Sequence, residues 1–251
     1  MSEHITFPVS LAIIADIHGN RWALETVLQD IDQRGIEQIV NLGDNLTGPL
    51  DPAGTADLLT EHAMLSICGN DDRILFSATE SLSPTQRYTR ELLTPAHIQW
   101  LQSLPATAVV TDELFVCHGD LFDTPYLLEQ ITTSGVSLRN TQEIEASISA
   151  IAQPVILCGH SHVPRTVSLP DGKLIINPGS VGLPAYTMET PFPYAMESGS
   201  PHARYVILHR TQHGWQVEHI QVPYPFRQAA RAAQNNRRAD WAQWLTTGRA
   251  Y

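Results

Sequence analysis

Residues 9–45 read VSLAIIADIHGNRWALETVLQDIDQRGIEQIVNLGDN, and this stretch decides the fold. Residues 9–15 (VSLAIIA) are a continuous, almost wholly apolar run, as in a strand covered on both faces. Trp22, Leu24, Val27, Leu28 and Ile31 then recur at helical spacing over residues 22–34, and Gly35 stops the helix. Residues 36–42 predict a second strand, 52–61 a second helix and 63–68 a third strand. This β-α-β-α-β alternation implies a parallel sheet with right-handed crossovers. In such sheets functional loops gather at the carboxyl ends of the strands, which is where Asp16, Asp44 and Asn70 fall.

Further along, residues 81–105 read as two short helices, starting at Ser83-Pro84 and Thr94-Pro95. Residues 107–117 suggest a hairpin turning at Thr111-Asp112, and residues 125–131 and 143–151 read as helical. From Val155 the character becomes β, with strands over 155–158, 166–169, 173–176, 204–209 and 215–222 and a hairpin turn at Pro170-Asp171-Gly172. Residues 182–203, rich in Pro, Gly and Ser, read as a long loop. Residues 225–251 predict a terminal helix with Arg227, Arg231, Arg237, Arg238 and Arg249 against one acid, Asp240. Such a tail could bind a polyanion; packing onto the acidic body through Trp241, Trp244 and Leu245 is the preferred reading.

The 251 residues are 43% hydrophobic and 16% charged, values of a globular chain with a well-buried core. A formal charge of −11 argues against a surface built for phosphate backbones, so long nucleic acid is not the expected partner. No apolar run reaches the roughly 18–20 residues that span a bilayer, and the N-terminus lacks a basic region and cleavage site, so no membrane role is expected. Cys68, Cys117 and Cys158 make an odd count without paired spacing, which points to a reducing, cytoplasmic setting. Each ends an apolar run, and each is either a thiolate ligand or a small core residue, the latter being preferred.

Chemistry concentrates in five loops that follow apolar runs: Asp16-Ile-His18, Gly43-Asp44, Gly69-Asn70, Cys117-His118-Gly119 and Gly159-His160-Ser-His162. One Asp or His after a strand is usually a cap or turn residue. Five in this order point to a shared site. Carboxylate, imidazole and amide oxygen suit divalent Mn, Fe, Co, Ni or Zn, and two such ions about 3.5–4 Å apart can clamp a phosphoryl group. Asp44 is placed to bridge them.

The pattern D-x-H … GD … GN … H … GHxH, with the stretches DIHGN, HGD, GHSHVP and NPGS, resembles the calcineurin-like metallophosphoesterase superfamily, in its small bacterial and archaeal phosphodiesterase-like branch. The resemblance spans residues 8–222 of what reads as one domain (1–251), with residues 225–251 as a helical extension. It implies an α/β fold, a four-layer α-β-β-α sandwich of two mixed sheets flanked by helices. It places Asp16, His18, Asp44 and His162 on one metal and Asp44, Asn70, His118 and His160 on the second. Many members carry a histidine after the GN, taken to protonate the leaving group; here Asp71 stands there.

Asp71 can replace that histidine only if it stays protonated, which needs a raised pKa; as a free carboxylate it repels a phosphomonoester dianion more than a diester monoanion. Asp72 reads as a partner of Arg73 or a cap of the next helix. Asn20 is either an N-cap or a donor to a phosphate oxygen, and Arg21 and Arg73 either steer an anionic substrate or pair with acids. The loop 177–180 supports the site. Asp44, Asn70 and Asp71 are thus the catalytic candidates and Asn20, Arg21 and Arg73 the substrate-binding ones. The expected activity is hydrolysis of a small phosphoester, preferentially a diester, by hydroxide bridging two divalent ions, with manganese a natural choice. Residues 77–105, 120–150 and 182–203 are expected to form the walls. The alternative is a metal-bound, inactive interaction module on the same fold.

Overall fold

The computed structural model describes residues 10–78, 81–119 and 126–251. Its first half follows the expected alternation: β1 (Ser10–Ile14), α1 (Arg21–Gln33), β2 (Ile39–Asn41), α2 (Pro52–Glu61) and β3 (Leu65–Ser66). Then come α3 (Asn70–Phe76), α4 (Pro84–Leu92), α5 (Pro95–Ser103), β4 (Thr107–Thr111) and β5 (Leu114–Cys117). The second half holds β6 (Glu129–Thr132), β7 (Gly135–Leu138), α6 (Thr141–Ser147), β8 (Val155–Leu157), β9 (Arg165–Ser168) and β10 (Leu174–Asn177). The chain closes with β11 (Ala185–Met188), β12 (Tyr194–Glu197), β13 (Ala203–Thr211), β14 (Gly214–Val222), α7 (Phe226–Asn235) and α8 (Ala239–Thr247).

Two five-stranded mixed sheets form, in the orders β14-β13-β1-β2-β3 and β4-β5-β8-β10-β9. In the first, β1, β2 and β3 run parallel with β13 antiparallel to β1; in the second, β5, β8 and β10 run parallel. The period-two alternation of strand side chains sets the layers. On β1, Leu11 and Ile13 face β5 and β8, meeting Leu114, Val116, Val155 and Leu157 between the sheets. Ala12 and Ile14 face the other way, into a core with Leu24, Val27 and Ile31 of α1 and with α2, α7 and α8. Ile156 and Ile175 pack outward against Ile144 and Ile148 beside α6. The result is the expected α-β-β-α sandwich.

Three local expectations are corrected. Of the segment read as helical over 125–131, Pro125 lies outside the described residues and Glu129–Thr132 is a strand paired with β7 through a turn at Thr132–Gly135. The supposed loop 182–203 contains the antiparallel pair β11–β12. The single terminal helix is two, broken at Asn236–Arg238, where Arg237 takes a left-handed φ of 60°. Trp241, Trp244 and Leu245 are buried, as the packing reading of this tail requires. The three cysteines are core residues: all are buried, and burial pushes the Cys68 thiol up to about 12, opposing thiolate formation. No helix among the described residues is long and apolar enough to cross a membrane.

Candidate metal centre

The loops after β1, β2, β3, β5 and β8 meet at one edge of the sandwich. They are laced by backbone hydrogen bonds, from Asp16 N to Gly43 O (2.9 Å), His18 N to Asp44 O (3.0 Å), Gly159 N to His118 O (2.8 Å) and Val181 N to Ala15 O (2.9 Å). Asp16, His18, Asp44, His160 and His162 all adopt left-handed φ values between 52° and 71°. Among the described residues only Arg237 joins them as a non-glycine of that kind. Strained backbone of this sort persists only where the surroundings impose it. Here it turns each side chain back toward a common centre.

Close approach also dictates a glycine. A Cβ on Gly69 would overlap Asp44 Oδ1, so only glycine lets β3 pass beside that carboxylate. The loop 177–180 buttresses the other side. Asn177 Nδ2 donates to Gly159 O (2.7 Å) and Ser161 Oγ (3.1 Å), while Ser180 Oγ donates to Asp16 O (2.6 Å).

Three histidines share one arrangement. Nδ1 of His18 lies 2.9 Å from Thr47 O, that of His118 2.7 Å from Leu42 O, and that of His162 2.7 Å from Leu183 O. A carbonyl can only accept, so each Nδ1 carries the proton and Nε2 is directed inward. The Nε2 atoms of His18 and His162 face each other at 3.1 Å, and His162 Nε2 is 3.4 Å from Asp16 Oδ1. Two facing lone pairs are unfavourable until a cation joins them. Across the site His118 Nε2 is 3.1 Å from Asp44 Oδ2, and the His160 ring completes a second group with them.

Asp44 also approaches His18 Nε2 at 3.9 Å, so it belongs to both groups. Buried Asn70 Oδ1 lacks a hydrogen-bond partner within the described residues. An orphaned acceptor beside two carboxylates and the inward-facing imidazoles fits a pair of divalent cations. The donors expected on each ion, Asp16, His18, Asp44 and His162 on one and Asp44, Asn70, His118 and His160 on the other, are brought together here.

Electrostatics in the metal-free chain follow from burial and proximity. Burial alone would lower the His118 imidazole, but Asp44 and Asp16 outweigh it and raise it to about 10. Burial and the charge on His118 push His160 down to about 4, and burial with His162 also lowers His18. Burial raises Asp16 and Asp44, yet the surrounding histidines outweigh it and hold both carboxyls below their usual range.

Asp71 lies within the cavity wall, its Oδ2 4.0 Å from His18 Nδ1, and it forms a third candidate donor group with His18 and Asp44. Its backbone N–H donates to Asp44 Oδ1 (2.9 Å), which turns Oδ2 toward the histidines. Burial, Asp44 and Asp72 raise the Asp71 carboxyl well above its ordinary value. Asp72 is a cap: fully buried, it accepts from Gly69 N (3.1 Å), Asn45 N (2.9 Å) and Asn45 Nδ2 (2.8 Å).

The three residues expected to bind substrate stand elsewhere. Asn20 is a buried N-cap of α1, accepting from Ala23 N and donating to Gly182 O and Tyr224 Oη. Arg21 pairs with Glu25 (2.8 Å) and Asp51 (3.6 Å), and Arg73 is exposed on α3; none of the three lines the cavity.

The cavity, about 490 Å³, opens over the centre between residues 83–86, Tyr126, residues 183–188 and α8. The expected wall segments supply Ser83–Gln86, Tyr126, Leu183 and Tyr186–Met188, whereas Arg238, Trp241 and Trp244 of the terminal helices were not foreseen there. Tyr126 stacks on His160 (centroids 4.6 Å apart, planes 25°), and Tyr186 meets His162 edge-on (4.7 Å) while donating to His160 O (3.2 Å). Their hydroxyls share a 2.8 Å bond. The stretches AYTM (185–188) and YAME (194–197), either side of a turn with two prolines, were the available signal for a hairpin.

A family model described as the calcineurin-like phosphoesterase superfamily domain matches residues 9–197. The chain belongs to that superfamily. The uncharacterized protein MJ0912 of Methanocaldococcus jannaschii is 26% identical, over 92% of this chain and 94% of its own. Phosphodiesterase YfcE of Escherichia coli is 29% identical, over 70% of this chain and 81% of its own. A metallophosphoesterase from Sphaerobacter thermophilus superposes with a TM-score of 0.74 at 23% identity, over 96% of this chain and 99% of that one, a likeness of fold. The superfamily implies divalent metal ions, in keeping with the donor groups at the strand ends.

Proposed function

We propose that this protein is a metal-dependent phosphodiesterase acting on a small phosphodiester such as a nucleotide ester. The observation that carries the reading is the set of three histidines, each tied by Nδ1 to a main-chain carbonyl, whose Nε2 atoms converge on two carboxylates that include the shared Asp44. One cation would be held by Asp16, His18, Asp44 and His162, the other by Asp44, Asn70, His118 and His160. Bound there, two divalent cations supply Lewis acidity and a nucleophile from water at neutral pH.

The remaining work falls to the chain. Asp71 N–H fixes the rotamer of Asp44, and the tyrosines fix those of His160 and His162. The walls bound a cavity of about 490 Å³, large enough for an ester with two arms. Asp71 sets the preference among esters. Ionised, it would repel the second charge of a monoester; protonated at a carboxyl oxygen, it would give its proton to the departing alkoxide. YfcE, a relative, is named a phosphodiesterase, in keeping with this ranking.

The test is direct. Protein loaded with manganese should hydrolyse bis-p-nitrophenyl phosphate with a higher kcat/KM than p-nitrophenyl phosphate. A preference for the monoester would overturn the ranking. The inactive-module alternative has less support, because all seven donor positions hold competent residues.

A further inference from the structure

The family model ends at residue 197, but the cavity wall continues beyond it. Arg238, Trp241 and Trp244, from α8 and its lead-in, close one side together with Ser83, Thr85 and Gln86 at the start of α4. Arg238 is the only Lys or Arg among the described residues lining the cavity. Its placement is built: the left-handed Arg237 breaks α7 from α8 and delivers the next residue to the wall. The Arg238 guanidinium lies over Trp241, 5.4 Å from the ring centroid, and Trp241 in turn stands edge-on to His18 at 6.1 Å. One indole therefore separates the cation from the metal centre.

The hydrogen bonds of Arg238 define what it can still bind. Asp240 takes Nε (2.9 Å) and Nη2 (2.7 Å), and Thr85 Oγ1 takes a proton of Nη1. A guanidinium has five N–H groups, so one proton on Nη1 and one on Nη2 remain without an acceptor among the described residues. Asp240 and Thr85 thus act as a bracket that orients the fork, and Asp240 itself is not part of the cavity lining. The two remaining N–H groups, one on each terminal nitrogen of a planar cation, can donate to an oxyanion. In a chain of net charge −11, with Asp44 and Asp71 in the same cavity, a bracketed arginine is a specific feature.

We propose that Arg238 anchors a second anionic group of the substrate, a phosphate or carboxylate on the ester arm remote from the scissile phosphorus. The proposal rests on the phosphodiesterase reading above and narrows its substrate class to esters with such an arm. An uncharged arm would offer the two N–H groups no charged partner, so the charge-assisted bonds of an anionic arm are the source of discrimination.

Dialkyl phosphinates mimic a diester monoanion and contain no ester to cleave, so their binding is independent of turnover. Three probes differ only in the end of the longer arm: phosphate, carboxylate or hydroxyl. Calorimetric titration of the metal-loaded protein should show the phosphate-ended or carboxylate-ended probe binding roughly tenfold tighter than the hydroxyl-ended one. Which anion is preferred identifies the arm. Arg238→Gln should collapse that ratio to about one, and Arg238→Lys should keep part of it. No preference in the wild type, or an unchanged ratio in Arg238→Gln, overturns the proposal. Preference without hydrolysis of any diester would sink the phosphodiesterase reading and leave the anchor standing.

Discussion

His118 gives the metal centre a measurable proton balance. In the metal-free chain its Nε2 lies 3.1 Å from Asp44 Oδ2 and 4.0 Å from Asp16 Oδ1, and the two carboxylates raise it to about 10. At pH 7.5 the ring is therefore almost fully protonated. Coordination through Nε2 requires the neutral ring, so cation uptake must release that proton. His18 and His160 are lowered and contribute none, and Asp16 and Asp44 are already ionised. Asp71, raised in the metal-free chain, adds a share of its own, which Asp71→Asn removes.

Manganese titration calorimetry of Asp71→Asn in buffers of different ionisation enthalpy should give close to one proton released per protein, and the wild type more than one. Below about pH 10 the apparent affinity should rise about tenfold per pH unit, roughly 1.4 kcal/mol. Stability carries the same signature. A histidine raised in the folded state stabilises it fully below the unfolded value of 6.5 and loses that contribution as pH rises through about 10. The metal-free protein should thus lose Tm between pH 7 and 10, while the metal-loaded protein should not. Zero proton release in Asp71→Asn would refute this reasoning.

Three further outcomes follow from single contacts. Asp71→Asn should narrow the kcat/KM ratio of diester to monoester, and its rate loss should be larger for an alkyl than for a p-nitrophenyl leaving group; pre-steady-state rates on matched esters check both. Gly69→Ala drives a methyl into Asp44 Oδ1, so metal content by elemental analysis should fall below two equivalents. Asp72→Asn leaves one of three buried donors facing an amide N–H and should cost about 1–3 kcal/mol in denaturant unfolding.

The parts of the fold legible in the sequence are those set by local chemistry. Pro52–Glu61 follows from its Asp-Pro start and α4 and α5 from Ser-Pro and Thr-Pro, because capping is settled within a few residues. Each ligand candidate sat just past an apolar run, so the seven donors could be gathered before any coordinates. What failed depended on tertiary partners. The short β11 and β12 are joined by a turn containing Pro191 and Pro193, and their tyrosines make sense only against His160, His162 and Tyr126. Arg21 and Arg73 are adjacent to site residues in sequence but point to other partners or to solvent, whereas Arg238 reaches the cavity only because α8 docks there.

The central claim is that Asp44 is shared by two cations and that this pair drives phosphodiester hydrolysis. Metal analysis and bis-p-nitrophenyl phosphate kinetics on wild type and Asp44→Asn test it most directly. Wild type should bind two equivalents and turn over, while Asp44→Asn should lose at least one equivalent and more than roughly a hundredfold in kcat/KM. An Asp44→Asn protein that keeps both metals and full activity would contradict the account.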